Sequence, residues 1–145
     1  MNRKDSIGRW LAIINGCLKS YVSKQLEPYN LGSGQFHYIL LLYKHDGITQ
    51  EEMTKYTNKD KGTTARAIKK LEREGYVTRK VNPEDKRSYK IYLTQKVINM
   101  KPIIFNVLDK SIELLEQGLS NEEKDMLLIV LKKMAKNAVK NMKEN

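Results

Sequence analysis

Residues 60–94, DKGTTARAIKKLEREGYVTRKVNPEDKRSYKIYLT, read as a helix, a strand, a basic turn and a second strand, and the rest of the chain is arranged around them. Asp60 can cap the helix by accepting a backbone N–H near Thr63. Thr64, Ala67, Ile68 and Leu71 then recur at helical spacing as its inward face. Gly75 tolerates a left-handed backbone and suits the helix stop. At about 100° per residue the opposite face carries Gly62, Arg66, Lys69, Lys70 and Arg73. Lys61, Gly62 and Thr63 occupy the first turn, where free N–H groups and the helix dipole favour a phosphate. Small residues flanked by Arg and Lys at a helix N-terminus suit a DNA major groove, although such charges alone also fit a solvated surface helix.

The segments on either side favour the first reading. Residues 77–81 and 88–93 alternate as strands, with Tyr89, Ile91 and Leu93 on one face. The turn between them, Asn82-Pro83-Glu84-Asp85-Lys86-Arg87, is punctuated by Asn and Pro and charged at its tip, which makes a hairpin wing. Upstream, Thr49-x-x-Glu52 is a capping box opening a short helix with Met53 and Tyr56 inside. The turn 57–59 leads straight into the helix at Asp60, so the pair reads as a helix-turn-helix.

Asp85-x-Arg87-x-x-x-Ile91-x-Leu93-Thr94, preceded by Leu71-Glu72-Arg73-Glu74-Gly75-Tyr76-Val77, resembles the signature of the MarR family of winged-helix transcription regulators. The resemblance implies that Arg87 enters a minor groove while Asp85 steadies it. A planar, weakly hydrated, permanently charged guanidinium suits a narrow A/T-rich groove, and a carboxylate two residues away can hold its fork. The likeness covers almost the whole chain. It implies a mainly α fold with a small β-hairpin wing: a winged helix-turn-helix at about 33–94 within a single domain of 1–145. Helices at about 5–28 and 95–143 would interlock two subunits.

The formal net charge is +10 over 145 residues, and residues 55–94 hold 12 Lys or Arg against 5 Asp or Glu, so this segment supplies +7 of it. Such clustering argues for a polyanionic partner more than for general solubility. No apolar run approaches the roughly 18 residues of a membrane-spanning helix, and no signal-peptide pattern opens the chain, so no membrane partner and a cytoplasmic location are expected. The single Cys excludes an intrachain disulfide framework.

In chain order, Asp5 or Ser6 is the candidate cap of a first helix reaching about Leu26. Its broad apolar stripe includes Ile7, Trp10, Leu11, Ile14, Cys17, Leu18, Tyr21 and Val22. A second subunit would supply cover that so small a domain lacks. After a loop marked by Pro28, Asn30, Gly32 and Gly34, Ser33 is the expected cap of a helix with Phe36, Ile39, Leu40, Leu42 and Tyr43 in the core. Asp46-Gly47 ends it, and Ile48 is a candidate edge strand. Beyond Thr94 a helix is expected to about Gln117, kinked or interrupted near Met100 because Pro102 removes a backbone bond. Gly118 breaks the chain, Ser120-x-x-Glu123 caps a last helix, and the tail after Met142 is polar and expected to fray.

No pattern for nucleophilic, acid/base or phosphate-loop catalysis is present, and no cofactor is implied. The paired carboxylates Glu51-Glu52 and Glu122-Glu123 sit in first helical turns, where the dipole accounts for them. His37 stands where zinc-sensing MarR relatives have a ligand. With only His37 and His45 in the chain, a four-coordinate site lacks its nitrogen ligands, and no metal is assigned. Cys17 reads as a small buried hydrophobe. Some relatives sense organic peroxides through a cysteine early in the first helix; counting back from Gln35, that place falls to Gly8, against the same route here.

These readings converge on a sequence-specific, double-stranded DNA-binding transcription regulator, with no enzymatic activity. By the resemblance it is a homodimer on a pseudo-palindromic operator and a ligand-responsive repressor. Bases would be read by some of Lys61, Thr63, Thr64 and Arg66, beside a flat Gly62; Lys69 and Lys70 would hold phosphates; and Asp85, Lys86 and Arg87 would form the wing tip. Trp10, Ile14, His37 and Tyr38 are candidates to line a cleft for a small aromatic or lipophilic effector. The rival is a winged helix used for protein or structured-RNA contacts. It need not carry Arg66 and Arg87 on both DNA-facing elements at once.

Overall fold

The computed structural model describes residues 5–142. Helix α1 (Ile7–Leu26) starts at Ser6, whose Oγ accepts the Arg9 N–H at 3.3 Å. Only Val22 and Leu26 of this helix are buried. The upper part of the apolar stripe, Trp10 and Ile14 included, is exposed within the subunit. Cys17 is exposed too, which corrects its reading as a buried residue. Helical periodicity shows which residues share a face, and here the chain's own core reaches only the last turns of that face.

A 3-10 turn (Glu27–Tyr29) follows, closed by Asn30 at φ 51°. Helix α2 (Phe36–Lys44) is not capped by Ser33. The N–H groups of Gln35 and Phe36 both donate to Gly32 O, so a turn precedes the helix and Ser33 lies inside it, its own N–H on Ser23 Oγ at 3.1 Å. Gln35 takes the cap position and turns its side chain back to accept from Gly32 N at 3.2 Å.

Helix α3 (Gln50–Thr57) opens with the full Thr49/Glu52 capping box and ends at Asn58, φ 56°. Helix α4 (Lys61–Arg73) begins at Asp60, buries Thr64, Ala67, Ile68 and Leu71, and gives way at Gly75, φ 76°, a conformation that costs a residue with a Cβ. Strands β1 (Val77–Asn82) and β2 (Asp85–Leu93) pair antiparallel from Val77 with Leu93 to Val81 with Tyr89. The expected edge strand at Ile48 is reduced to one bridge, Thr49 to Lys90, beside the bonds Gly47 N to Ile91 O at 2.8 Å and Ile91 N to Ile48 O at 2.9 Å.

Helix α5 (Gln95–Asn99) stops at Met100, and α6 (Lys101–Glu116) starts afresh with Pro102 in its first turn, where a missing N–H leaves no intrahelical bond unmade. Tyr43 on α2 donates its hydroxyl to Val97 O at 2.6 Å; burial pushes this phenol's pKa up to about 12 and keeps it a donor. One core of Leu26, Leu31, Phe36, Ile39, Leu42, Met53, Ile68, Leu71, Ile91, Val97 and Ile104 thereby joins α1 to α6 and the hairpin.

The chain's contacts fall into two units divided after Ser111. In the second, Gly118 at φ 81° turns the chain, and Ser120 and Glu123 form the expected reciprocal bonds at 2.8 and 3.1 Å. They open α7 (Asn121–Met142), of which no residue is buried. The expectation of a frayed tail after Met142 lies outside the described residues.

Candidate nucleic-acid interface

The first turn of α4 is fixed by Asp60, whose Oδ1 accepts the Thr63 N–H at 2.8 Å. That bond, and then the Thr63 hydroxyl, hold the Asp60 carboxyl below its ordinary pKa, so the cap stays ionised. The inward residues of α4 turn the helix so that Lys61, Gly62, Arg66, Lys69 and Arg73 are exposed, with Thr63 and Lys70 half-buried. Thr64 is a correction to the base-reading candidates. It is fully buried, and its Oγ1 is 3.2 Å from the Tyr38 hydroxyl, so it faces the core rather than a groove. Its place on the inward spacing already carried that signal.

Along the cationic face runs a groove of about 480 Å³, walled by Thr63, Arg66, Lys69, Lys70 and Arg73 on α4 and by Gly34 and Gln35 ahead of α2. Arg73 belonged to the charged face from its spacing, whereas nothing local to Gly34 or Gln35 signals that the fold brings them here. Four basic side chains on one wall suit a polyanion far better than a neutral ligand.

The wing tip is built differently from the expected six-residue turn. Asn82 pairs with Asp85 across Pro83 and Glu84, while the next pair is Val81 with Tyr89, so Lys86, Arg87 and Ser88 have no partner on β1 and bulge outward. Asn82, a buried polar residue, holds this shape: its Oδ1 accepts Glu84 N–H at 3.2 Å, and its Nδ2 donates to Ser88 Oγ at 3.1 Å. Asp85 Oδ1 accepts from Arg87 N at 3.0 Å and from Arg87 Nε at 3.3 Å. The Arg87 side chain is 92% exposed, so the carboxylate orients a guanidinium that is otherwise in water.

Wing and helix are linked by Arg79 on β1, whose Nε donates to Glu72 Oε2 on α4 at 3.1 Å while its guanidinium lies 5.0 Å from the centre of the Tyr89 ring. Neither Arg79 nor Glu72 was among the sequence candidates, because a contact between a helix and a strand leaves no spacing to read. The two cationic elements are thus held by a direct ion pair as well as by the core.

A second cleft, of about 470 Å³, is lined by Lys19, His37, Tyr38, Leu41, Tyr56 and Lys59 among others, and by Thr63 from α4. His37 and Tyr38 line it as expected candidates; Trp10 and Ile14 do not, being exposed on α1. His37 keeps part of its surface in water, yet the cleft wall, then Lys59 and Lys19, hold its pKa below the ordinary value and favour the neutral ring.

A model of the MarR family matches residues 31–89, the span from the loop ahead of α2 into the wing. The transcriptional regulator SarZ of Staphylococcus haemolyticus is 32% identical over 112 residues, 77% of this chain and 75% of SarZ. Among solved structures, a MarR transcriptional regulator from Methanosarcina mazei superposes with a TM-score of 0.88 at 37% identity, covering 92% of this chain and 96% of that one. A MarR family regulator from Listeria monocytogenes, crystallised with a 26mer DNA, gives 0.87 at 29% identity over 94% and 91%. These relatives are regulators rather than enzymes. With a helix-turn-helix, a two-stranded wing and likeness over nearly its whole length, the chain belongs to the MarR family of winged helix-turn-helix transcription regulators.

Proposed function

We infer that the chain is a sequence-specific double-stranded DNA-binding regulator that acts as a homodimer on a pseudo-palindromic operator, as a ligand-responsive repressor. The observation that carries this is the pairing of two exposed cationic elements, the α4 face and the bulged wing tip, tied together by Arg79 and Glu72. The DNA in the crystals of the Listeria relative supports the same partner. In this reading residues 33–94 are the DNA-binding module. Lys61, Thr63 and Arg66 face base edges beside Gly62, while Lys69 and Lys70 hold phosphates. Lys86 and Arg87 meet the minor groove and its rim, with Asp85 steadying Arg87.

The helices that flank this module, α1 and α5 to α7, are assigned to dimerisation, because α1 and α7 leave Trp10, Ile14, Leu127 and Leu131 exposed in the subunit. The cleft at His37 and Tyr38 is assigned to a small aromatic or lipophilic effector. It shares Thr63 with α4, so a ligand there acts on DNA affinity to the extent that it binds one geometry of α4 better than another. Among the described residues no helix is long and apolar enough to cross a membrane, in keeping with a DNA-bound role in the cytoplasm.

The wing tests this reading. Arg87→Ala is expected to weaken operator binding and to reduce preference for A/T-rich flanks, while the preferred major-groove bases are retained. Asp85→Ala should weaken binding in the same sense although it removes a negative charge beside DNA, because the carboxylate orients Arg87. Competition binding against flank-variant duplexes measures both. A gain in affinity for Asp85→Ala discards the orienting role, and an unchanged flank preference in Arg87→Ala discards the minor-groove role.

A further inference from the structure

The Arg66 side chain is exposed but does not run straight out from α4. It folds back toward the helix start: Nη2 donates to Thr63 Oγ1 at 3.3 Å, and Nη1 lies 3.1 Å from where a Cβ on Gly62 would sit. Asp60 Oδ1 is 3.2 Å from that same point. Thr63 donates its hydroxyl to Asp60 Oδ2 at 2.7 Å while its N–H is held by Oδ1. A hydroxyl has one proton to give. With that proton on the carboxylate, Thr63 Oγ1 can only accept, and the donor-only guanidinium is the partner that fits. The result is a directed chain of bonds, Arg66 to Thr63 to Asp60, laid along the open strip that Gly62 leaves.

We propose that Asp60 and Thr63 are positioning residues for base reading by Arg66, and that Gly62 lacks a side chain to leave the guanidinium its place. The proposal rests on the reading of α4 as the groove-facing helix and adds to it a mechanism of selectivity. A fork that reads two acceptors on one base edge must arrive in a fixed plane, and a tether set before binding spares the rotamer freedom otherwise lost on contact. One of the five guanidinium donors is spent on Thr63; the remaining N–H groups are free to meet a base. The wing repeats the device, since Asp85 also bonds a backbone N–H and an arginine at once. Each carboxylate works against DNA by its charge and for recognition by its geometry.

The test compares the parent with Arg66→Ala, Asp60→Asn, Thr63→Val, Thr63→Ser and Gly62→Ala, on the duplex that the parent selects from random DNA and on its single-base variants. Arg66→Ala should relax one position per half-site by about 5- to 150-fold. Asp60→Asn and Thr63→Val should relax that same position by at least about 5-fold. Thr63→Ser keeps the hydroxyl and should retain parental discrimination. Asn caps a helix about as well as Asp does, so Asp60→Asn should keep the fold, with at most a small fall in unfolding midpoint from the charge lost at the helix start. Its amide, however, presents an N–H to Thr63 Oγ1, turning the hydroxyl proton toward Arg66 and setting donor against donor. Gly62→Ala should also keep its fold and lower discrimination at that position, because a Cβ 3.1 Å from Nη1 forces the guanidinium to give by a few tenths of an ångström.

Charge alone predicts tighter, equally selective binding for Asp60→Asn. If Asp60→Asn and Thr63→Val leave untouched the position that Arg66→Ala relaxes, or lower affinity uniformly at every base, the tether is refuted while DNA reading stands. It is refuted likewise if Arg66→Ala relaxes no position in a parent that selects a sequence. A parent that selects no sequence refutes the reading of α4 itself.

Discussion

Affinity for a selected operator is expected to fall by about three to five decades between roughly 50 and 200 mM salt, as binding that neutralises about six to ten phosphates releases their counterions. The structure supplies the charges. Lys61, Arg66, Lys69, Lys70 and Arg73 share one face of α4, and Lys86 and Arg87 stand on the wing bulge. Two subunits with about half of these side chains on phosphates reach that number. The local acids weaken the field without cancelling it, since residues 55–94 hold 12 Lys or Arg against 5 Asp or Glu and keep a net +7. Fluorescence anisotropy across a salt series gives the slope directly. A nearly flat response contradicts a cationic face that tracks the DNA backbone and favours apolar contacts with another protein.

Placing two charges on the last helix should have an effect of similar scale. Leu127 and Leu131 lie one turn apart on α7, 46% and 37% exposed within a helix that buries nothing in its own subunit. If that stripe is covered by a second copy, Leu127→Glu with Leu131→Glu forces two carboxylates into an apolar interface, where each costs several kcal/mol unless paired. Sedimentation at micromolar concentration should then shift from twice 16.9 kDa toward a single 16.9 kDa chain. Losing the linked second half-site should lower operator affinity by about 10²- to 10⁴-fold. Any residual dimer should show an unfolding midpoint that rises with protein concentration. An intact dimer with parental affinity would remove α7 from the interface.

What could be read from the sequence was local. The caps at Asp60, at Thr49 with Glu52 and at Ser120 with Glu123 each need only residues within one turn, and all three form as expected. The break at Met100 follows from Pro102 alone. The inward spacing of Thr64 correctly placed it in the core, and the error lay in also counting it among the base readers. What escaped depends on distant partners. Ser33 has a good capping residue's chemistry but sits inside a turn organised by Gly32, and Ser23 engages its N–H. Cys17 lies on the broad apolar stripe of α1 but about 140° round the helix from Val22, and the buried part of α1 is confined to Val22 and Leu26. The wing's alternation gave both strands, while the bulge at Lys86, Arg87 and Ser88 depends on Asn82 bonding across the hairpin. Gln35 joins the groove of α4, and Glu72 meets Arg79, only because the helices and hairpin pack as they do.

Selection from a pool of random double-stranded DNA by the purified chain tests the central claim most directly. A symmetric pair of winged helices can place its two α4 helices in successive major grooves, one helical turn apart. The account predicts enrichment of an inverted repeat whose half-site centres are about 10 base pairs apart, with A/T-rich steps where the wings reach the minor groove. Recovery of no preferred sequence, or of a single half-site bound as tightly as the pair, would contradict it.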